Sequence, residues 1–376
     1  MTEIKPFRID VPQADLDDLQ RRLADVRWPD EPPGVGSSRG LPLAHTRDLV
    51  EYWRTTFDWR EQEARLIAFP QFVTDIEGQR FHFVHVRSGV PDALPILLTH
   101  GWPSTFVELV GLVGPLTADG FDVVIPSLPG FGFSTPVRET GWGNLFRVAS
   151  AFAELMTRLG YERFAAHGGD VGAGVTGMLP MVAPGRVVAT HVNGPGPYPF
   201  GPPVDTEGLS EADTVRAERF NKIQTDGLGY LHLQSTRPST LAYSLTDSPV
   251  GQLAWIAEKF TDWTDVAVPM NDLLTIVSVY WFTRSGASAA HFTYEGMQAF
   301  RAFVEQAGEA TGGTMAPGGV PAGVAVFATD NSIRSLVDPA GTAAHWSEFD
   351  RGGHFPALEV PDLLADDLRK FFGQYR

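Results

Sequence analysis

The chain has 376 residues, 43% hydrophobic and 11% aromatic, enough for one large packed domain or two smaller ones. Its 45 acidic against 29 basic residues give a formal net charge of −16, which repels phosphate backbones and anionic lipid, so neither nucleic acid nor membrane is expected as a partner. Cysteine is absent, which excludes disulfides, thiolate zinc sites and a cysteine nucleophile.

The N-terminal MTEIKPFRIDVPQ lacks the apolar segment of a signal peptide, and no apolar run approaches the roughly 18 residues of a membrane span, so the expected location is cytoplasmic. In ADLDDLQRRLADV (14–26), Leu16, Leu19 and Leu23 recur at helical spacing and predict an amphipathic helix that WPDEPPG stops. EYWRTTFDWREQEARLIAF (51–69) reads as a second helical stretch. The period then changes: QFVTDIEGQRFHFVHVRSG (71–89) holds two β-like runs around Glu77-Gly78, a hairpin signal. PILLTHGWP (95–103) and FDVVIPSLPGFGFS (121–134) each join a short strand-like run to a Gly/Pro loop, and YERFAA precedes the turn HGGDVGAG (167–174). This alternation predicts an α/β fold with a mostly parallel sheet, flanked by helices, whose functional loops lie at the strand ends.

After Asn193-Gly194-Pro195-Gly196-Pro197 the pattern is helical from about 207 to 306, an inserted lid. GGTMAPGGVPAG (312–323) reads as a flexible return linker, GVAVFATD (323–330) as a strand and VPDLLADDLRKFFGQY (360–375) as a closing helix. The expected organisation is a helical N-terminal extension packing on the core (1–70), a first core segment (71–198), the lid (199–315) and a second core segment (316–376).

Gly172-Ala173-Gly174-Val175-Thr176-Gly177 matches a dinucleotide fingerprint, but the ribose-binding acid about 20 residues on is missing and Asp170 would oppose a pyrophosphate. Close helix–strand packing explains these glycines instead. Gly168-Gly169-Asp170-Val171-Gly172 has the frame of a serine-hydrolase nucleophile elbow with aspartate in the serine slot. A carboxylate there is either a nucleophile that forms an ester with carbon or a turn residue capping the next helix. His100-Gly101-Trp102-Pro103 follows a strand, where a backbone N–H joins that of Val171 in an oxyanion hole. The His100 side chain reads as a brace for this loop. Asp330 ends a strand and His354 precedes the last helix, completing the chain order nucleophile, acid, histidine of the α/β-hydrolases. His82 and His85, at odd spacing on a strand, point to opposite faces and form no metal pair.

Taken together, FRIDVP, RLADVRWPDE, HGWPST, PSLPGFGFS, GGDVGA, LQSTRPSTLAYSLTDSPVGQLAWIAEKF, YWFT and GGHFPALE resemble the epoxide hydrolases of the microsomal type over nearly the whole chain, N-terminal extension included. The resemblance implies the α/β-hydrolase fold, with Asp170 as nucleophile, His354 as base, Asp330 as the acid orienting it, Trp102 and Val171 as backbone oxyanion donors, and Tyr230 as one of two lid tyrosines that protonate the epoxide oxygen. For the second, Thr293 stands in the tyrosine slot and Tyr294 one place later, about 100° around a helix, leaving open which of them faces the site. Val171 replaces a tryptophan common in this family, which removes an aromatic wall beside Asp170. The implied reaction converts a hydrophobic epoxide and water to a vicinal diol through an ester on Asp170, in detoxification or secondary metabolism, with no metal or organic cofactor; a homodimer is the oligomeric state to test. A haloalkane dehalogenase-like hydrolase, a biosynthetic epoxide-opening enzyme and a catalytically silent small-molecule binder are the rival readings. Lid aromatics Trp255, Phe260, Trp263, Tyr280, Trp281, Phe282 and Phe292 divide between core packing and the pocket wall.

Overall fold

Strand pairing begins at the Glu77-Gly78 turn, where φ values of 51° and 77° give the doubly positive bend that joins two right-twisted strands. It connects β2 (Gln71–Ile76) to β3 (Gln79–Val86), as the alternation predicts. In this computed structural model, which describes residues 3–196, 200–307 and 319–376, the hairpin lies within a nine-stranded sheet of order β1-β2-β3-β5-β4-β6-β7-β8-β9. The strands are β1 (Lys5–Phe7), β4 (Pro95–Thr99), β5 (Asp122–Pro126), β6 (Phe164–Gly169), β7 (Val187–Asn193), β8 (Ala322–Val326) and β9 (His345–Glu348). β1 to β3 pair antiparallel, as does β3 with β5, and every later pair is parallel. β4 and β5 are buried at every position, as strands covered on both faces require. Strand order reverses around β4, so the loops leaving β4 and β6 diverge and open a crevice at their carboxyl ends.

The extension contributes α1 (Gln13–Ala24), α2 (Leu43–Thr55) and α3 (Trp59–Ile67). The 51–69 stretch is therefore not one helix: the chain breaks at Thr56, and Asp58 starts α3 by accepting the Arg60 N–H at 2.8 Å. α4 (Val113–Ala118), α5 (Leu145–Arg158) and α6 (Val171–Val182) follow β4, β5 and β6. The lid holds α7 (Glu211–Lys222), α8 (Gly229–Thr236), α9 (Pro238–Asp247), α10 (Pro249–Asp262), α11 (Met270–Thr283) and α12 (Ser285–Ala307), inserted between the adjacent strands β7 and β8. The short α13 (Arg334–Val337) and α14 (Pro356–Glu359) precede α15 (Pro361–Phe372). β8 ends at Val326 and leaves 327–330 as loop, shorter than the strand expected over 323–330. The short edge strands β1 and β9 carry too little periodicity to be seen in the sequence. Most of the expected linker, through residue 318, lies outside the described residues. Among the described residues no helix is long and apolar enough to cross a membrane.

The extension braces the lid as well as the sheet. β1 adds to the sheet edge through β2, while α1 and α2 pack on α10, and α3 packs on α11. The buried Trp53 of α2 donates its indole N–H to Ser278 of α11 at 3.2 Å, Tyr52 donates to Asn271 at 3.0 Å, and Phe282 packs on Trp59 at 5.0 Å between ring centres. Trp53→Ala would empty a large volume and leave the Ser278 hydroxyl unpaired, so urea unfolding is expected to show a loss of about 3–5 kcal/mol. Trp53→Phe, which keeps most of the packing, is expected to lose clearly less.

Candidate active site

β6 and α6 meet in a turn so tight that Asp170 takes φ 52° and ψ −125°, a conformation a non-glycine residue holds only when its surroundings compel it. Gly172 provides the compulsion: a Cβ there would lie 2.0 Å from the Thr99 carbonyl oxygen, so only a bare backbone lets α6 approach β4 this closely. Of the fingerprint-like glycines, Gly172 and Gly174 thus serve packing, Gly174 against Leu145, whereas a Cβ at Gly177 would meet open space. Asp170 precedes α6 without capping it; its carboxylate turns instead to the loop after β4, where Oδ1 accepts the Trp102 N–H at 2.8 Å. No hydrogen bond runs from the Val171 N–H to this carboxylate.

The other oxygen, Oδ2, faces Nε2 of His354 at 3.7 Å. That is longer than a direct hydrogen bond but close enough for both groups to act on one intervening atom. The His354 backbone N–H donates to the Trp263 carbonyl at 2.9 Å, and its ring packs on Trp263 and Phe355, each 4.8 Å between centres. Burial lowers the proton affinity of His354 below the ordinary histidine value while the Asp170 charge raises it, and burial prevails. The imidazole is therefore held neutral, as a base must be.

Tyr230 of α8 stacks on Trp102 at 4.9 Å with planes 5° apart, and meets Trp263 edge-on at 5.3 Å. Burial and the Asp170 carboxylate both push its phenol above the usual tyrosine range, which keeps it a proton donor. Lys259, paired with Glu258, places its ammonium 4.8 Å from the centre of the Tyr230 ring. Of the lid aromatics, Trp263 joins this cluster, whereas Trp281 lies under the Arg22 guanidinium and Phe292 packs on Phe131. Tyr294 is 37% exposed on α12, while Thr293 is half-buried and donates its hydroxyl back to the Ala289 carbonyl at 3.2 Å.

Asp330 is buried, and its Oδ2 accepts the Phe327 N–H at 2.8 Å; no hydrogen bond joins it to His354. Burial pushes its carboxyl up to about 7. The His100 ring accepts the Leu128 N–H at 3.2 Å and braces the loop, as expected. His82 and His85 turn to different partners, His82 to Ser127 and Gln71, His85 to Tyr161.

Two supporting residues, Glu359 and Glu108, have no role assigned from the sequence, and a third, Tyr280, stands there only among the lid aromatics. Glu359 accepts the N–H groups of Phe355, Asp265 and Val266 and so ties the His354 loop to the end of α10. Tyr280 of α11 donates its phenol to the Ser104 carbonyl at 3.1 Å, pinning the loop that carries Trp102. Glu108 is buried, and burial pushes its carboxyl up to about 8, with Asp170 and Glu359 adding to the effect. Each is a common residue whose role depends on what surrounds it; the glutamate of GGHFPALE was visible only as part of a motif, and Tyr280 only as one lid aromatic among several.

Glu108 binds a proton in the folded chain between its ordinary value of 4.5 and about 8, where the unfolded chain has lost it. Its contribution to stability is therefore complete below 4.5 and declines as pH rises toward 8. Glu108→Gln removes that slope. The variant is expected to gain stability over the unaltered protein between pH 5 and 8.5, by on the order of a few kcal/mol, in paired urea titrations.

The family signature "Epoxide hydrolase N terminus" matches residues 4–109, and the signature "alpha/beta hydrolase fold" matches residues 95–250. A Stigmatella aurantiaca protein, itself provisionally named an epoxide hydrolase, is 43% identical, the match covering 99% of this chain and 86% of that one. Epoxide hydrolase 1 of Sus scrofa is 32% identical, with 98% and 88% covered. The solved structure of Aspergillus niger epoxide hydrolase superposes with a TM-score of 0.86 at 33% identity, covering 99% of this chain and 96% of the other.

Proposed function

From the premise that this chain belongs to the epoxide hydrolases of the microsomal type, we propose that it hydrolyses a hydrophobic epoxide to a vicinal diol through an ester on Asp170. One observation carries the assignment of residues: the two oxygens of Asp170 are already divided, Oδ1 on the Trp102 N–H at 2.8 Å and Oδ2 toward His354 at 3.7 Å.

Oδ2 attacks a ring carbon as the strained C–O bond breaks, and the Tyr230 phenol gives its proton to the departing oxygen. Oδ1 becomes the ester carbonyl and keeps the Trp102 N–H. His354 then takes a proton from water, which attacks Cγ, and the charge that develops on Oδ1 is stabilised by the same N–H. Collapse restores the Asp170 carboxylate, and the two protons of the water supply the second hydroxyl of the diol and the Tyr230 phenol. Val171 joins as a second donor in this reading only once charge has developed on Oδ1. Asp330 stabilises the transient imidazolium by its charge in this reading, with no resting hydrogen bond between them. Tyr230, packed between the Trp102 and Trp263 rings, is the principal acid in this reading, whereas Tyr294 is 37% exposed on α12.

Asp170→Asn is expected to abolish turnover. His354→Ala should gain one substrate mass by intact-protein mass spectrometry after exposure to aryl and alkyl epoxides, and Asp170→Asn/His354→Ala should gain none. Rapid turnover by either single variant would overturn the scheme. Because burial holds Asp330 up to about 7, its carboxylate forms as pH rises through that value, and ester hydrolysis should accelerate there. In Asp330→Asn this limb is expected to vanish, with hydrolysis slowed about 10²–10⁴-fold while ester formation is little changed.

A further inference from the structure

A cluster of ring nitrogens and a carboxylate lies on the sheet away from the Asp170 site, on residues the hydrolysis does not use. His167 on β6, His191 on β7, Gly323 on β8 and His345 on β9 stand in one cross-strand row, paired His167 with His191, His191 with Gly323, and Gly323 with His345. Residues directly opposite one another project to the same face, here the face covered by Asp367 of α15. Nε2 of His191 is 3.0 Å from Asp367 Oδ2, and Nε2 of His345 is 2.8 Å from Asp367 Oδ1. Ser347 also donates to Oδ1, at 2.6 Å.

Gly323 makes this convergence possible. The two histidines stand two strands apart, about 9–10 Å along the sheet, and a side chain between them would fill the space their rings enter. A Cβ at Gly323 would lie 2.8 Å from His191 Cδ2 and 2.9 Å from the Phe371 ring. The slot is closed at the His191 end, which is fully buried, and reached from solvent at the His345 end, whose side chain is 21% exposed.

The geometry points to a second site in this protein: a structural site for a divalent transition-metal ion of the zinc class, held by His191, His345 and Asp367. One donor atom from each lies within 4.8 Å of the others. Two imidazoles and a carboxylate suit a borderline cation, and a protein supplying three ligands leaves a fourth position for water on the His345 side. Ligands about 2.0–2.2 Å from zinc stand about 3.4 Å apart in a tetrahedron, so the His191–Oδ2 and His345–Oδ1 pairs, at 3.0 and 2.8 Å, open by about half an ångström, while donors standing as far as 4.8 Å apart close by up to about 1.4 Å around the ion. Protons need only rearrange. His191 carries its proton on Nε2 while bonded to Asp367, so its Nδ1 accepts from His167 Nδ1, 3.0 Å away; with Nε2 on the metal the His191 proton sits on Nδ1 and is donated to His167 Nδ1, whose own proton shifts to Nε2. The ion would join β7, β9 and α15, fastening the end of the chain to the sheet edge, and takes no part in epoxide opening.

The test uses the tag-free full chain stripped with chelator and titrated with zinc chloride by calorimetry and thermal unfolding. One ion per chain and a higher melting temperature are expected. His345→Ala should weaken binding at least about tenfold, whereas His354→Ala should bind as before, which separates this site from the Asp170–His354 pair. Absence of binding, or equal affinity in a folded His345→Ala chain, would overturn the proposal. Should His345→Ala not fold, crystals of the unaltered protein soaked in zinc decide it: an anomalous peak between His191, His345 and Asp367 supports the site, and no peak there refutes it.

Discussion

Much of the catalytic geometry depends on the close approach of α6 to β4. Gly172 against the Thr99 carbonyl sets that distance, and the distance forces Asp170 into its positive-φ turn. Once so placed, the carboxylate cannot cap α6 and finds the Trp102 N–H across the crevice. Strain at the turn is thereby converted into orientation: one oxygen is occupied and the other faces His354. The reversal of strand order around β4 supplies the space in front of it.

The lid completes the site from the opposite side, and the aromatic contacts show how. Trp102 from the core, Tyr230 and Trp263 from the lid and His354 from the second core segment pack ring against ring in sequence. Residues more than a hundred positions apart thus share one wall. The N-terminal extension holds the lid in turn through Trp53, Tyr52 and Trp59, so a segment more than a hundred positions from Asp170 in the chain still bears on where Tyr230 stands.

Beneath this wall the protein buries carboxyls and uses the low dielectric to control them. Glu108 retains its proton at neutral pH, so it adds no second negative charge against the nucleophile, while Glu359 satisfies its oxygens on the backbone of the His354 loop. On the far row of the sheet the opposite holds. Asp367 is kept ionised well below the ordinary aspartate value, its hydrogen bonds to His191, Ser347 and His345 outweighing a burial penalty that acts the other way. The two regions therefore treat a buried carboxyl in opposite ways, one keeping its proton and the other its charge.

The sequence by itself determined the alternation of strands and helices, the hairpin at Glu77-Gly78, the extent of the helical lid to within a few residues, and the chain order of Asp170, Asp330 and His354. These are local properties: turn chemistry, hydrophobic period and chain order are written in consecutive residues. It read one helix where Asp58 starts a second, because the propensities on either side of the break are alike and the cap is a single side chain. Tertiary structure alone decided that Asp330 rests on the Phe327 N–H rather than on His354, that Tyr294 is left partly exposed, and that Glu108, Tyr280 and Glu359 surround the site. It also decided that His167, His191, Gly323 and His345 share one row. The reason is common to all of these: hydrogen bonding, burial and strand register are set by residues distant in the chain, and no local pattern encodes which of them will meet.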